Sequence, residues 1–303
     1  FRGVMRFWMD GGVDGFGVDV AHGMIKAAGL HDYLPDPDGG SMGGDEADVP
    51  YWGQDGVHEI YRDWRTVLAE YGPDRVLIAE AWVKPLRKMA NWVRPDEMHQ
   101  AFNFEYLGTG WDAAALRSVI DHSLASASSV GAPTTWVLSN HDVKRHVQRY
   151  GGGELGLRRA RAAALLMLAL PGSAYVYQGE ELGLQEVGSE IPDSERQDPS
   201  FFRNKGVEIG RDGCRVPLPW SAGGSSFGFG PGGSHLPQPE WFAGASVEAQ
   251  ENREDSTLSL YRRALSLRWE LQSAETLEWL ETGRDDVLAF RRPNGWTSVT
   301  NFG

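Results

Sequence analysis

The 303-residue chain weighs 33.4 kDa and carries 29 basic against 42 acidic side chains, a formal net charge of −13 and a pI near 5.1. An acidic surface of this size repels phosphate backbones and anionic lipid, which argues against nucleic-acid and membrane partners, and no apolar run reaches the ~18 residues that a membrane span needs. Hydrophobic residues at 41% and charged ones at 23% allow a sizeable core, while the single cysteine, Cys214, excludes an internal disulfide and any Cys-pair zinc site.

In chain order, residues 1 to 10 have helical spacing around Val4, Phe7 and Trp8 and stop at Gly11-Gly12; a strand-like run, Gly15 to Val20, follows. Residues 31 to 54 are rich in Gly, Pro and Asp and read as a long loop. Asp55 is placed to cap a helix whose apolar residues Val57, Ile60, Tyr61, Trp64, Val67, Leu68 and Tyr71 repeat at i, i+3, i+4, i+7, with Gly72-Pro73 as its stop. Val76 to Ala79 is a continuous apolar run that predicts a strand buried on both faces, ending at Glu80. Weaker alternations predict a strand over 100–105, a helix over 112–123, a strand over 134–138, a helix over 157–170 and a strand over 173–177. Residues 221–239 form a Gly/Ser/Pro-rich loop, expected to be flexible, and a helix is predicted over 257–270. Three short strands, 276–279, 287–291 and 297–301, are separated by Gly/Asp and Pro-Asn-Gly turns.

Strands alternating with helices imply an α/β protein with a parallel sheet. Four acids, Asp19, Glu80, Asp142 and Glu180, fall at or just past the C-terminal ends of the predicted parallel strands. In such architectures that edge binds ligands and collects catalytic groups; ordinary helix capping is the competing explanation for any one of them.

At these positions the chain resembles the α-amylase superfamily, glycoside hydrolase family 13. The carrying residues are GFGVDVAH at 15–22, IAEAW at 78–82, LSNHD at 138–142 and YQGEELG at 177–183. VPYWGQDGVHEIYRDW at 49–64 and GRDGCRVPLPW at 210–220 resemble its α-glucosidase and oligo-1,6-glucosidase branch. The resemblance implies a partial (β/α)8 TIM barrel, strands four to eight, over residues 1–272, followed at 273–303 by the start of a C-terminal β domain. It also implies a retaining α-glucoside hydrolase acting on a small oligosaccharide or disaccharide, with no metal and no organic cofactor. Asp19 would be the nucleophile, Glu80 the general acid/base, and Asp142 the acid that binds sugar hydroxyls with His141 beside it. His22 and Arg215 would line the site that accepts the leaving group, or serve surface and ion-pair roles. Glu180 would be structural. Tyr51, Trp52 and Trp82 are candidates either for stacking on sugar faces or for core packing.

Two departures from the family pattern stand out. An arginine is expected two residues before the nucleophile, where this chain has Gly17, and the family's first three barrel strands have no counterpart. The chain therefore reads as an internal fragment of an α-glucosidase-like enzyme, with a cytoplasmic location and an undetermined oligomeric state. A sucrose- or trehalose-isomerising transglycosylase and a non-catalytic interaction protein on the same barrel are the alternatives. The G-x-S-x-G and G-x-G-x-x-G strings at 224–228 and 228–233 neither follow a strand nor open a helix, so neither carries its usual mechanism. The calcium-loop-like start Asp36-Pro37-Asp38 lacks the required acids at positions 5 and 12, Gly40 and Ala47.

Overall fold

The computed structural model describes residues 1–32, 49–204 and 207–303, so the calcium-loop-like string at 36–47 lies outside the described residues. In chain order the elements are α1 (Arg2–Asp10), β1 (Gly15–Val18), α2 (Val57–Ala69), β2 (Val76–Ala79), β3 (Gln100–Ala101), α3 (Phe104–Gly108), α4 (Ala113–Ser128) and β4 (Thr135–Val137). Then come α5 (His146–Arg149), α6 (Gly153–Ala169), β5 (Ser173–Tyr175), α7 (Pro199–Arg203), α8 (Phe242–Ala245), α9 (Val247–Gln250), α10 (Thr257–Leu271), β6 (Glu278–Trp279), β7 (Val287–Arg291) and β8 (Thr297–Asn301). Short 3-10 turns connect them. The chain divides into two compact units, Phe1–Tyr106 with Arg117–Trp136, and Leu107–Leu116 with Val137–Gly303.

In the first unit β1, β2 and β3 form a parallel sheet in that order, with register Gly15↔Val76 through Val18↔Ala79 and Ile78↔Gln100. Gly15 is dictated by close approach, since a Cβ there would sit 2.1 Å from the carbonyl oxygen of Val76. Leu77 and Ala79 enter the core, but Val76 is exposed and Ile78 half-buried, so β2 is covered chiefly on one face rather than on both. The same inversion holds in α1. Met5 and Met9 are its buried residues, and Val4, Phe7 and Trp8, which carry the sequence periodicity, are exposed. Helix α2 buries Val57, Tyr61, Trp64, Val67 and Leu68, the predicted stripe. Its N-cap is Gly56 with no side-chain cap; Asp55 contributes its backbone carbonyl to His58 N instead of its carboxylate. The predicted strand at 100–105 stops at Ala101 because Asn103 Oδ1 accepts the Tyr106 N–H at 3.0 Å and turns the chain into α3.

Beside α2 lies a charged knot. The Glu97 side chain is fully buried and accepts from Arg62 at 3.0 Å, from Arg94 at 3.2 Å and from His58 Nδ1 at 2.6 Å.

In the second unit α6 packs against α5, α10 and β8. The carbonyls at and beyond its C-terminus are capped by cations, as a helix macrodipole favours. Arg268 on α10 donates to Leu168 O and Leu170 O at 2.6 and 2.8 Å, and Arg292 donates to Ala169 O at 2.9 Å. Strands β6, β7 and β8 form an antiparallel sheet. The β7–β8 connection closes through Arg292 N to Trp296 O, with Gly295 at φ +96, a conformation that the Pro-Asn-Gly sequence anticipates. The 221–239 segment is laced to itself and its base. Ser226 Oγ donates to Gly230 O at 2.8 Å, and Gln238 Nε2 donates to Pro217 O and Ser226 O at 3.0 and 3.1 Å.

The fourth strand-end acid, Glu180, is fully buried in this unit. Its Oε2 accepts from Tyr261 OH at 3.4 Å and its Oε1 lies 3.9 Å from His146 Nδ1. Burial pushes the carboxyl up to about 8 and the imidazole down to about 3, so at neutral pH this is a neutral pair rather than an ion pair. Because the folded pKa of Glu180 lies above its unfolded value of 4.5, its contribution to stability is full below pH 4.5 and is lost as pH rises toward 8, whereas His146, held below its usual 6.5, acts in the opposite direction as pH falls. Glu180→Gln, which cannot ionise, is expected to raise Tm by several degrees at pH 8.5 and to leave it within a degree at pH 4.5. Equal shifts at both pH values in calorimetry would contradict a protonated Glu180.

Candidate active site

Two groups of the predicted residues are assembled, one in each unit. In the first unit the register Val18↔Ala79 is the last pair of the β1–β2 ladder, and Asp19 and Glu80 are the next residues on the two strands. The backbones stay in step past the ladder, with Glu80 N donating to Val18 O at 2.9 Å and Ala21 N to Glu80 O at 2.7 Å. Adjacent parallel strands run about 4.8 Å apart, so two acids leave neighbouring strand ends side by side. Asp19 is exposed and Glu80 half-buried. Val20 directly after Asp19 has φ 46 and ψ 44, a left-handed conformation rare for a β-branched residue and costing ~1–3 kcal/mol. It starts the 3-10 turn Ala21–Gly23 that carries His22.

His22 is buried. Its Nδ1 accepts the Trp82 backbone N–H at 3.3 Å, which leaves the neutral ring protonated at Nε2, and the ring packs on Trp52 with centroids 4.6 Å apart. Burial lowers its pKa to about 4, outweighing a hydrogen bond with the Glu80 backbone. Trp52 is flanked by Tyr51 and His22 and has Lys26 Nζ 5.2 Å from its ring centroid. Trp82 stacks on Phe104 at 3.7 Å and 14° and donates Nε1–H to Glu80 Oε1 at 3.0 Å.

In the second unit Asn140 Oδ1 accepts from the backbone N–H groups of Asp142 and Val143, at 2.9 and 3.0 Å, making the turn that sets Asp142 after β4. Asp142 Oδ1 accepts from two guanidiniums, Arg211 Nη1 and Arg215 Nη2, each at 2.7 Å. Its Oδ2 lies 3.5 Å from the exposed His141 Nε2, and Arg215 Nε donates to the His141 carbonyl at 2.8 Å. Of these partners Arg211 was not singled out in the sequence, and neither was Asp198, which grips it. Arg211 Nε and Nη2 bond the two Asp198 oxygens at 2.7 and 3.1 Å, while Asp198 also N-caps α7. The guanidinium holds the Asp198 carboxyl well below the usual carboxylate range. Buried Arg145 donates to the carbonyls of Gly213 and Cys214 at 3.3 and 3.1 Å, fixing the segment that bears both arginines. Gly213 has no room for a Cβ, which would lie 1.7 Å from Glu186 Oε1.

The string GRDGCRVPLPW contains Arg211 and Arg215 four residues apart, so the signal was in the sequence; a separation of 69 residues hid the pairing of Arg211 with Asp142. Among the described residues no group of three His, Cys, Asp or Glu side chains is arranged to hold a metal ion. No helix among them is long and apolar enough to cross a membrane.

The sequence and the fold were compared with known proteins. The model of the family described as alpha amylase, catalytic domain, matches residues 1–276. The chain belongs to the α-amylase family. It is 30% identical over 310 residues to a probable alpha-glucosidase of Rhizobium meliloti (strain 1021), covering 96% of this chain and 55% of the relative. It is 26% identical over 296 residues to the oligo-1,6-glucosidase of Parageobacillus thermoglucosidasius, covering 88% of this chain and 51% of that protein. Its fold matches the crystal structure of the alpha-glucosyl transfer enzyme XgtA with a TM-score of 0.83 at 30% identity, over 96% of this chain and 55% of that one. The chain thus spans about half the length of the relatives it matches. These matches place the chain within the mixed α/β catalytic domain of that family.

Proposed function

We propose that this α-amylase family chain supplies the catalytic groups of a retaining hydrolase of short α-linked glucosides, built on strands four to eight of a (β/α)8 barrel, with β6–β8 opening a C-terminal β domain. The observation that carries the reading is the register that ends two neighbouring parallel strands on Asp19 and Glu80. In the first step the Asp19 carboxylate attacks the anomeric carbon. The glycosidic C–O bond breaks, a C–O ester bond to Asp19 forms, and the Glu80 proton goes to the departing oxygen. In the second, water gives a proton back to Glu80 as its oxygen displaces Asp19. Asp142 would bind sugar hydroxyls through Oδ2, since Oδ1 is held by Arg211 and Arg215. His141 would assist at that oxygen. Neutral, buried His22 would fix the turn behind Asp19 rather than meet the leaving group through an open face, and Arg215 would act through Asp142 and His141.

The likeness to a glucosyl transfer enzyme favours one second reading, transfer of the glucosyl group to a sugar in place of water, with the same carboxylates. Products from maltose, isomaltose and sucrose separate the two: glucose release alone supports hydrolysis, and new disaccharides support transfer. A non-catalytic interaction protein would turn over none of them. The relatives extend well beyond the region matched here, and substrate positioning of the kind such segments supply is worth up to ~7–11 kcal/mol. The 303 residues alone are therefore expected to show no turnover of 4-nitrophenyl α-glucoside, and the longest reading frame that carries them is expected to show it.

Gly17 is a separable defect. Gly17 lies on β1 two residues before Asp19, and a Cβ built there meets nothing within 4 Å. An arginine there has room to lie beside Asp19 and support its negative charge. In the longest reading frame that carries these residues, Gly17→Arg is expected to raise kcat/KM roughly tenfold or more, corresponding to ~1.4 kcal/mol of transition-state stabilisation. An unchanged rate would remove Gly17 from the account.

A further inference from the structure

Trp82 has three attachments, and each belongs to a different part of the first unit. Its backbone N–H is accepted by His22 Nδ1 at 3.3 Å, on the turn after β1. Its ring lies on Phe104 with centroids 3.7 Å apart, and Phe104 opens α3, whose first turn is fixed by Asn103 Oδ1 and, through Asn103 Nδ2, by Ser123 Oγ at 2.8 Å. Its Nε1–H donates to Glu80 Oε1 at 3.0 Å. The stack on Phe104 and the backbone bond to His22 together orient the indole, so the direction of its single donor is set by the scaffold and not by the acid that accepts it.

We propose that Trp82 is a positioning residue for the general acid/base: its indole N–H holds Oε1 of Glu80 and fixes the direction of the carboxyl that carries the transferable proton. This rests on the reading of Glu80 as the acid/base and adds what holds its carboxyl in place. An indole N–H has a donor and no acceptor, so it stabilises the ionised carboxylate and offers nothing to the protonated oxygen. Among the described residues, Asp19 at the end of the neighbouring strand, His22 bonded to Trp82, and Lys26 over Trp52 are titratable groups that border this place.

The test is a titration of the 303-residue chain carrying 13C at glutamate carboxyls and 15N at tryptophan indoles, with Glu80→Gln and Trp82→Phe assigning the two resonances. Trp82→Phe keeps a ring for Phe104 and the backbone N–H for His22, and removes only the donor. The Glu80 carboxyl is expected to titrate about one pH unit higher in Trp82→Phe, and in the unsubstituted chain the Trp82 indole resonance is expected to move with the same midpoint as Glu80. Should Trp82→Phe fail to fold, the common midpoint in the unsubstituted chain decides alone. An indole resonance indifferent to Glu80 ionisation, or a Glu80 titration unmoved by Trp82→Phe, overturns the proposal. In the longer protein the alkaline limb of kcat/KM for α-glucosides should follow the same upward shift. Coupled titrations without any turnover would reject the hydrolase reading while leaving the Trp82 assignment standing.

Discussion

On the proposed hydrolase reading, Glu80→Gln is expected to lower kcat/KM for maltose or isomaltose by about 10²–10⁴-fold, because a sugar alkoxide leaves poorly unless it is protonated as the bond breaks. For 4-nitrophenyl α-glucoside, whose phenolate needs no proton, the loss in bond cleavage should be much smaller. The retained Asp19 would still form the ester, and the second step, deprived of its base, would become limiting. Added azide, a nucleophile that needs no deprotonation, should then restore turnover and yield the α-glucosyl azide. A loss of the same size for both leaving groups, with no azide effect, would mean that Glu80 serves structure or binding. The amide would still present an oxygen to Trp82 Nε1, so the side chain keeps its place in the comparison.

The second large effect concerns stability. Glu97 has no exposed side-chain surface and is the shared acceptor for His58, Arg62 and Arg94. Replacing it by alanine removes the buried anion that His58, Arg62 and Arg94 share, leaving the imidazole N–H unpaired while Arg62 keeps Asp96 and Arg94 keeps Asn91. Loss of one member of a buried charged group typically costs ~3–5 kcal/mol. Arg62 and Arg94 each keep more than a third of their side-chain surface in water, which places the expected loss toward the lower end. A fall in Tm on the order of 10 °C is expected. Glu97→Gln, which still accepts hydrogen bonds, should lose less than half of that. Calorimetry of the three proteins checks the ordering, and an alanine variant as stable as the parent would show that the knot contributes nothing.

Periodicity located most of the regular structure, and its failures have a common cause. Helix α2 was legible because one stripe carries its burial, and β7–β8 because a Pro-Asn-Gly turn with Gly at positive φ joins two runs rich in β-branched residues and aromatics. Helix α1 was found for a misleading reason. Its large apolar residues face solvent while Met5 and Met9 do the packing, which spacing alone cannot distinguish. The strand at 100–105 was overextended because the element ends on a side-chain capping bond from Asn103, a contact between two local conformations and not a pattern of hydropathy. In the candidate site Asp19, Glu80 and Asp142 were visible as acids at strand ends. Their supports were not: Arg211 reaches Asp142 across 69 residues, and the Trp82 donor depends on a ring orientation set by Phe104. Both are tertiary facts carried by residue types that are common elsewhere in the chain.

The chemical claim at the centre of this account is that Asp19 forms a bond to the substrate. Incubating the longest reading frame that carries these residues with 5-fluoro-α-glucosyl fluoride, which glycosylates an enzyme faster than the ester is released, followed by proteolysis and mass spectrometry, reads that bond directly. The account predicts one added fluoroglucosyl group on the peptide containing Gly15 to His22, placed on Asp19 by fragmentation and absent from Asp19→Asn. A label on another carboxylate, or continued hydrolysis of α-glucosides by Asp19→Asn, would contradict it.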